Sequence, residues 1–531
     1  MSIKPRLNRF DLTMIVISLV IGMGIFASPA VVAQKAGNEW IFFGAWIFGG
    51  LVSLCGALTF AEIGARYPNT GGFYKVYSYC YHPAFAFMIN WVLVISNAAS
   101  VAAVALIGSD YIKPFLLPAD LQNDTGTKII TIVSVLILYG INFLGIKMSA
   151  RTQSVLIAFK MALIVMICFA IFKSDAVPAT IIATPHTGSL ITAFGLSLVP
   201  VFFTYGGYQQ TINFGGDIIN AKTNIPKGIA VGISVVIFLY LSVNYAYFKV
   251  LGIGGLQHTP ALAAKMMGVI FGPTGYKITS ILLFGGVLAY VNVNVMANPR
   301  VYYAMAEDGV LPSIFKKVNP KTQVQEFGMS FFVAAIIVIL FFVTSFDKML
   351  KYVMFFDTIG LSIAALSIFI LRKKTKDIDT KDIYTIKWFP LVPLIFIAAY
   401  WFVTITIFIT FTDDHYAALT CLGCYVYGLM IYYTCKYYTE NVKIFIGARI
   451  VFLGFLSIKF ILLLYTPLGN VLASQLIWIF KFVYLIVFWL LSFMKHDNKS
   501  LKSTLVRLKI VFLFAIMPLA IISVLQLFNI L

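Results

Sequence analysis

The sequence predicts an all-α polytopic membrane protein, and three observations carry that expectation. Of 531 residues, 60% are hydrophobic and 11% charged, against about 25% charged in an average soluble domain. Mean hydropathy is +0.93. Apolar runs of about 20 residues, enough to cross a bilayer as helix, recur along the whole chain. Soluble domains adding up to this length would need far more polar surface. A soluble enzyme, a secreted disulfide scaffold and a disordered regulator are therefore excluded. A transmembrane β-barrel is excluded too, because its strands alternate in short segments.

Twelve spans are read in order, at 11–34, 40–64, 83–108, 128–145, 152–172, 189–214, 228–250, 277–303, 327–345, 350–371, 388–410 and 415–434. Three more follow at 444–466, 472–493 and 509–530. The expected organisation is a twelve-helix core over 1–435 and additional C-terminal helices over 436–531. Basic residues test this reading. With a cytoplasmic N-terminus, 27 of the 39 Lys and Arg fall in segments on one side, beginning with Lys4, Arg6 and Arg9. That bias fixes orientation. The net charge of +19 then has no need of a nucleic-acid partner. A signal peptide is the rival reading of the N-terminus, but residues 30–33 make a poor cleavage site and the apolar run continues past them.

Few residues are candidates for metal or redox chemistry. Cys421 and Cys424 form a CxxC inside an apolar run with no second pair beside it, which reads as small apolar filler. The five His are scattered among loops, so no metal site is readable, and neither is a nucleotide motif or any other cofactor site.

Two spans are interrupted. The first carries Gly22-Met23-Gly24-Ile25-Phe26 near its middle, followed by Pro29. The sixth carries Phe203-Thr204-Tyr205-Gly206-Gly207-Tyr208-Gln209 at its centre. Glycines in membrane helices ordinarily permit close packing. Interruptions in two spans five helices apart also point to a transport site near the midplane, formed by discontinuous helices of two repeats. Five is odd, so the second repeat would be inverted, with the pair at about 10–172 and 189–371. A broken helix offers free N–H groups and a positive dipole end to a carboxylate, and free carbonyls to an ammonium. A zwitterion suits both.

Three stretches resemble the amino acid–polyamine–organocation permease superfamily. Gly22-Met23-Gly24-Ile25-Phe26 is similar to the family's G-S-G-I-F. Ala61-Glu62-Ile63, continued by Pro68, Gly71, Gly72 and Tyr74, is similar to its A-E-L-x-x-x-x-P-x-x-G-G-x-Y loop. Arg300, then Ala304-Met305-Ala306-Glu307-Asp308-Gly309 and Leu311-Pro312, is similar to its R-x-x-x-A-M-A-R-D-G-x-L-P. Residues 202–229 align with the sixth helix and its exit. The resemblance covers about residues 8–435. It implies a five-plus-five inverted-repeat transporter with broken helices 1 and 6, working by alternating access.

By this resemblance, the N–H groups of Met23, Gly24 and Ile25 would take the substrate carboxylate. Carbonyls around Ile21 and of Phe203, Thr204 and Gly206 would take its ammonium. Phe203 matches an outer-gate aromatic, with core packing as the equal alternative. Tyr205, Tyr208 and Gln209, with Gly22, would shape the pocket. The sequence departs from the family in two places. A position that holds Glu in acid-resistance exchangers is Gln209, and the Glu-Glu after the sixth helix becomes Gly216-Asp217. A neutral Gln exchanges no proton and balances no second ammonium, which favours neutral amino acids over diamines or cationic ones.

Lys160 lies eight residues inside the fifth span, about 12 Å deep at about 1.5 Å per residue. An ammonium there is costly. It is either a proton carrier, matching the lysine that stands where sodium sits in sodium-coupled relatives, or a structural lysine in a wet cavity. Lys459 and Lys481 lie in the extra helices. Glu62, Arg66, Arg300, Glu307 and Asp308 sit at the predicted cytoplasmic ends of spans two and eight and read as inner-gate ion pairs. The expected function is an inner-membrane permease that carries neutral amino acids by alternating access, through proton symport or exchange, with membrane lipid around it. A polyamine or cationic amino acid antiporter is the alternative within transport. A membrane transferase or a permease-derived sensor is the alternative outside it.

Overall fold

The computed structural model describes residues 8–68, 71–173, 189–213, 218–259, 262–341, 346–376 and 383–410, and Tyr425, Gly428, Leu429 and Tyr432. The expected C-terminal helices with Lys459 and Lys481, the CxxC, Gly216-Asp217 and most of the twelfth span lie outside the described residues.

The described chain is helical and contains no β-sheet. Helix α1 (Arg9–Val20) opens on a capping box. The Asn8 side chain accepts from Asp11 N at 3.0 Å and the Asp11 carboxylate accepts from Asn8 N at 2.9 Å. It ends at Val20 with Ile21 as its C-cap, and α2 (Gly24–Ala36) leaves at 42°. Gly37, left-handed at φ 69°, ends α2, and Asn38 caps α3 (Glu39–Arg66) by accepting from Ile41 N. The other long helices are α5 (Pro83–Leu116), α6 (Asp124–Phe143), α7 (Ile146–Lys173), α9 (Ala221–Gln257), α10 (Leu262–Glu307), α12 (Phe346–Lys374) and α13 (Leu391–Thr410). The shorter ones are α4 (Gly72–Cys80), α8 (Leu190–Tyr205) and α11 (Glu326–Leu340).

Each of the first eleven expected spans coincides with one of these helices or with the α1–α2 pair. Among the described residues nine helical segments are long and apolar enough to cross a bilayer, or ten with the bent pair. Three boundaries differ from the sequence reading. Residues 72–80, read as loop, form α4, whose Phe73, Tyr74, Val76, Tyr77 and Cys80 are buried at helical spacing. The polar stretch before residue 228 forms the first turns of α9. The eighth span starts earlier, with a break at Gly272 (φ 67°) before Pro273.

The two broken spans lie at the centre: α1 packs on α9, and α2 on α8 and α9. Around them α3 meets α8 and α9, α10 meets α5 and α7, and α12 meets α5 and α13. Large apolar side chains such as Leu51, Val155, Phe169, Phe238 and Phe408 point outward, which only lipid accommodates at this density. Trp40 and Trp388 are 83% and 73% exposed. Trp40 begins α3, whereas Trp388 lies beside the residues that bind the end of α3. The two indoles therefore mark opposite edges of the apolar belt.

Candidate functional site

The two glycine breaks press directly on each other. A Cβ built on Gly24 would lie 2.7 Å from Thr204 Oγ1 and 2.9 Å from its Cα, and one on Gly207 would strike the Leu19 carbonyl. Gly207 also holds φ +113°, a conformation that favours glycine. Close packing and interruption are thus one feature: the absent side chains let the two broken backbones meet. Past Gly207 the sixth span continues as a 3-10 turn over Tyr208–Asn213.

The breaks leave backbone groups without described partners. The N–H groups of Met23, Gly24 and Ile25 have no acceptor among the described residues, while Phe26 and Ala27 both donate to Met23 O. These three form the N-terminal, electropositive end of α2. At the other side of the break the end of α1 is capped by side chains. Lys160 Nζ donates to Ile21 O at 2.5 Å and to Ser18 O at 3.4 Å, and the Tyr240 hydroxyl donates to Val20 O at 2.9 Å. Lys160 is 1% exposed, and its stem passes Gly286 of α10, where a Cβ would sit 3.3 Å from Lys160 Cγ. A cation at a helix C-terminus is electrostatically favourable. The Ile21 carbonyl, expected to meet a substrate ammonium, here accepts from Lys160.

A cavity of about 60 Å³ lies against both breaks and touches Gly22, Met23, Gly24, Phe203, Thr204, Gly206 and Gln209. Tyr205 and Tyr208, which sequence reasoning put in the pocket wall, do not line it. Tyr205 packs on Trp46 and Tyr240, with ring centroids 5.8 and 5.2 Å away, and donates to Trp46 O. Tyr208 turns toward Phe60. The break redirects the chain, so residues adjacent in sequence face different spaces.

The far wall of the cavity was not read from the sequence. Asn97 and Ser100 of α5, Tyr290 and Asn294 of α10, and Asp357 of α12 line it. Ser96 Oγ donates to Asp357 Oδ1 at 3.1 Å, and Ser100 Oγ lies 2.9 Å from the Tyr290 hydroxyl. The Tyr290 ring covers Gly22. The signal was present: Asp357 is the one acidic residue in the run 350–371, and Tyr290, Asn294 and Asn298 recur at helical spacing.

The expected gate residues separate into two groups. Glu62, fully buried, takes Arg372 on both oxygens at 2.8 and 2.7 Å, Arg66 Nε at 2.6 Å and the N–H of Ile386 at 2.8 Å. Arg66 also donates to Thr375, and the Arg372 guanidinium stacks 3.7 Å from the Phe389 ring centroid. Nearby, burial and then the Glu62 charge push the Tyr384 phenol up, so it stays neutral. In the second group Lys75 binds Asp308 at 2.5 Å and Glu307 at 3.5 Å. Arg300 stands on α10, about two turns before Asp308. Arg372 and Lys75, the cations that complete these groups, went unrecognised because each comes from a segment distant in sequence. Among the described residues no cluster of His, Cys, Asp and Glu has the makings of a metal site.

Comparison with known proteins bears on this arrangement. The sequence model of a family described as amino acid permease matches residues 7–418. A serine/threonine exchanger of Bacillus subtilis is 30% identical over 437 residues, 80% of this chain and 95% of its own. The large neutral amino acids transporter small subunit 2 of Oryctolagus cuniculus is 26% identical over 411 residues, 74% of this chain and 75% of its own. A methylthioribose transporter of Bacillus subtilis is 27% identical over 424 residues, covering 74% and 86%. An integral membrane protein of broken, apolar helices around a polar central cavity, the chain belongs to the amino acid permease family.

Proposed function

We propose that this protein is a secondary transporter of neutral amino acids that works by alternating access, with the substrate held between the two helix breaks. The observation that carries the reading is the juxtaposition of the breaks over a central cavity, with three N–H groups at Met23, Gly24 and Ile25 lacking acceptors. They would take the substrate carboxylate. Carbonyls at the end of α8 around Phe203, Thr204 and Gly206 would take the ammonium, with Phe203 as the gate on that side. Movement of the broken helices against the rest would open this site to one side and then the other, as alternating access demands.

Two relatives bear names of neutral amino acid transporters, one of them an exchanger, which supports the substrate class. Two interruptions five helices apart support an inverted five-plus-five repeat. Basic residues concentrated on one side support a cytoplasmic N-terminus in the plasma (inner) membrane. Lys160, bridging the fifth span to the end of α1, is the group that would couple proton movement to the state of the break. Glu62, Arg66 and Asp308, in their two ion-pair groups, and Arg300 would hold the cytoplasmic side closed.

The test is uptake of labelled neutral amino acids into proteoliposomes, preloaded or empty, with and without an inward proton gradient. We expect accumulation that internal amino acid or the gradient stimulates. Absence of uptake and of binding for every amino acid offered would contradict the reading.

A further inference from the structure

Asp357 sits within a membrane-spanning helix and lines the cavity at the breaks. It is the one carboxylate in the cavity wall, and no basic group among the described residues pairs with it. Its described partner is the Ser96 hydroxyl, on Oδ1. A carboxylate has about four acceptor sites, so most remain open toward the cavity. Unfilled acceptors away from bulk water are costly, and a residue kept in such a place within a span is a functional candidate.

Its position says what it would meet. The helix breaks form one wall of the cavity, and α5, α10 and α12 form the other. If the zwitterionic end of the substrate is held at the breaks, its side chain extends toward Ser100, Tyr290 and Asp357. We propose that Asp357 is the specificity residue of the site, accepting a hydrogen bond from an uncharged donor on the substrate side chain, such as a hydroxyl. This rests on the proposed amino acid transport and deepens it. The donor-bearing side chain is small, because Phe203, Tyr290, Met354 and Tyr400 crowd the same cavity. An uncharged donor accords with the neutral amino acid class proposed above.

Threonine and valine test this, being nearly the same shape and differing by hydroxyl against methyl. Uptake by the intact protein in proteoliposomes should favour threonine over valine by about tenfold or more in kcat/KM, because a site built to hydrogen-bond a hydroxyl leaves its own polar group unpaired with the analogue that lacks one. Asp357→Leu should bring the two within about twofold in kcat/KM. Asp357→Asn preserves the side-chain shape and one acceptor oxygen, and should lower the ratio severalfold even if the leucine variant fails to fold. Equal wild-type handling of threonine and valine, or a ratio unmoved in both variants, would overturn the assignment and leave amino acid transport standing. Preference for ornithine over threonine would overturn the uncharged class. Failure to transport any amino acid would overturn the underlying reading, and this inference with it.

Discussion

At the scale of single residues, Lys160 and Gly24 carry the clearest physics. Lys160 is a buried cation whose described partners are two backbone carbonyls at a helix end. Replacing it with alanine leaves those carbonyls without their donor, at a cost of about 1–3 kcal/mol. Lys160→Ala should therefore lower the thermal unfolding midpoint in detergent. It should also abolish accumulation driven by a proton gradient while exchange against internal amino acid persists, and uphill accumulation at the wild-type level would rule out the coupling role. Gly24→Ala places a methyl group against Thr204, an overpacking worth about 1–3 kcal/mol. Its expected outcome is at least a tenfold loss of uptake, since relief of the clash separates the two breaks. Wild-type uptake by that variant would show that their contact is dispensable. Both residues were legible in the sequence, as a glycine pair and as a lone charge at mid-span. Asp357 is equally conspicuous in the sequence, but Gln209 speaks only for the sixth span, and it is the packing of α12 that brings the carboxylate to the same cavity.

At the scale of elements, Glu62 joins the end of α3 to the end of α12 and to the segment before α13. One buried carboxylate receives two guanidinium groups and a backbone N–H. Removing one partner of a buried ion pair costs about 3–5 kcal/mol. Glu62→Gln is expected to destabilise the protein and to raise leak or exchange rates, as read by thermal unfolding and by efflux from loaded proteoliposomes. A variant as stable as wild type would show that the network is not structural. The sequence placed Glu62 and Arg66 one helical turn apart and so made their pairing readable. Arg372 lies some 310 residues away in the chain, and only the packing of α3 against α12 brings it in. The same limit explains α4: its amphipathic spacing is present, but nine residues among polar neighbours resemble a loop until α5 and α12 supply the surface that buries it.

At the scale of the molecule, the apolar runs and the basic bias specify a membrane bundle, and each described span lies where those runs place it. Orientation is the expectation that follows. With the native cysteines replaced by serine, a cysteine at exposed Asp120 should react with an impermeant maleimide on intact cells. One at exposed Lys317 should react only after permeabilisation, and the opposite pattern would invert the assigned topology. The central claim is that backbone groups at two helix breaks recognise both ends of a zwitterion. Competition against uptake of a labelled neutral amino acid, by the unlabelled amino acid, its methyl ester and its decarboxylated amine, tests it most directly. The account predicts that the intact zwitterion competes and that the ester and the amine, each lacking the carboxylate that Met23, Gly24 and Ile25 would hold, compete at least tenfold more weakly; equal competition by all three would contradict it.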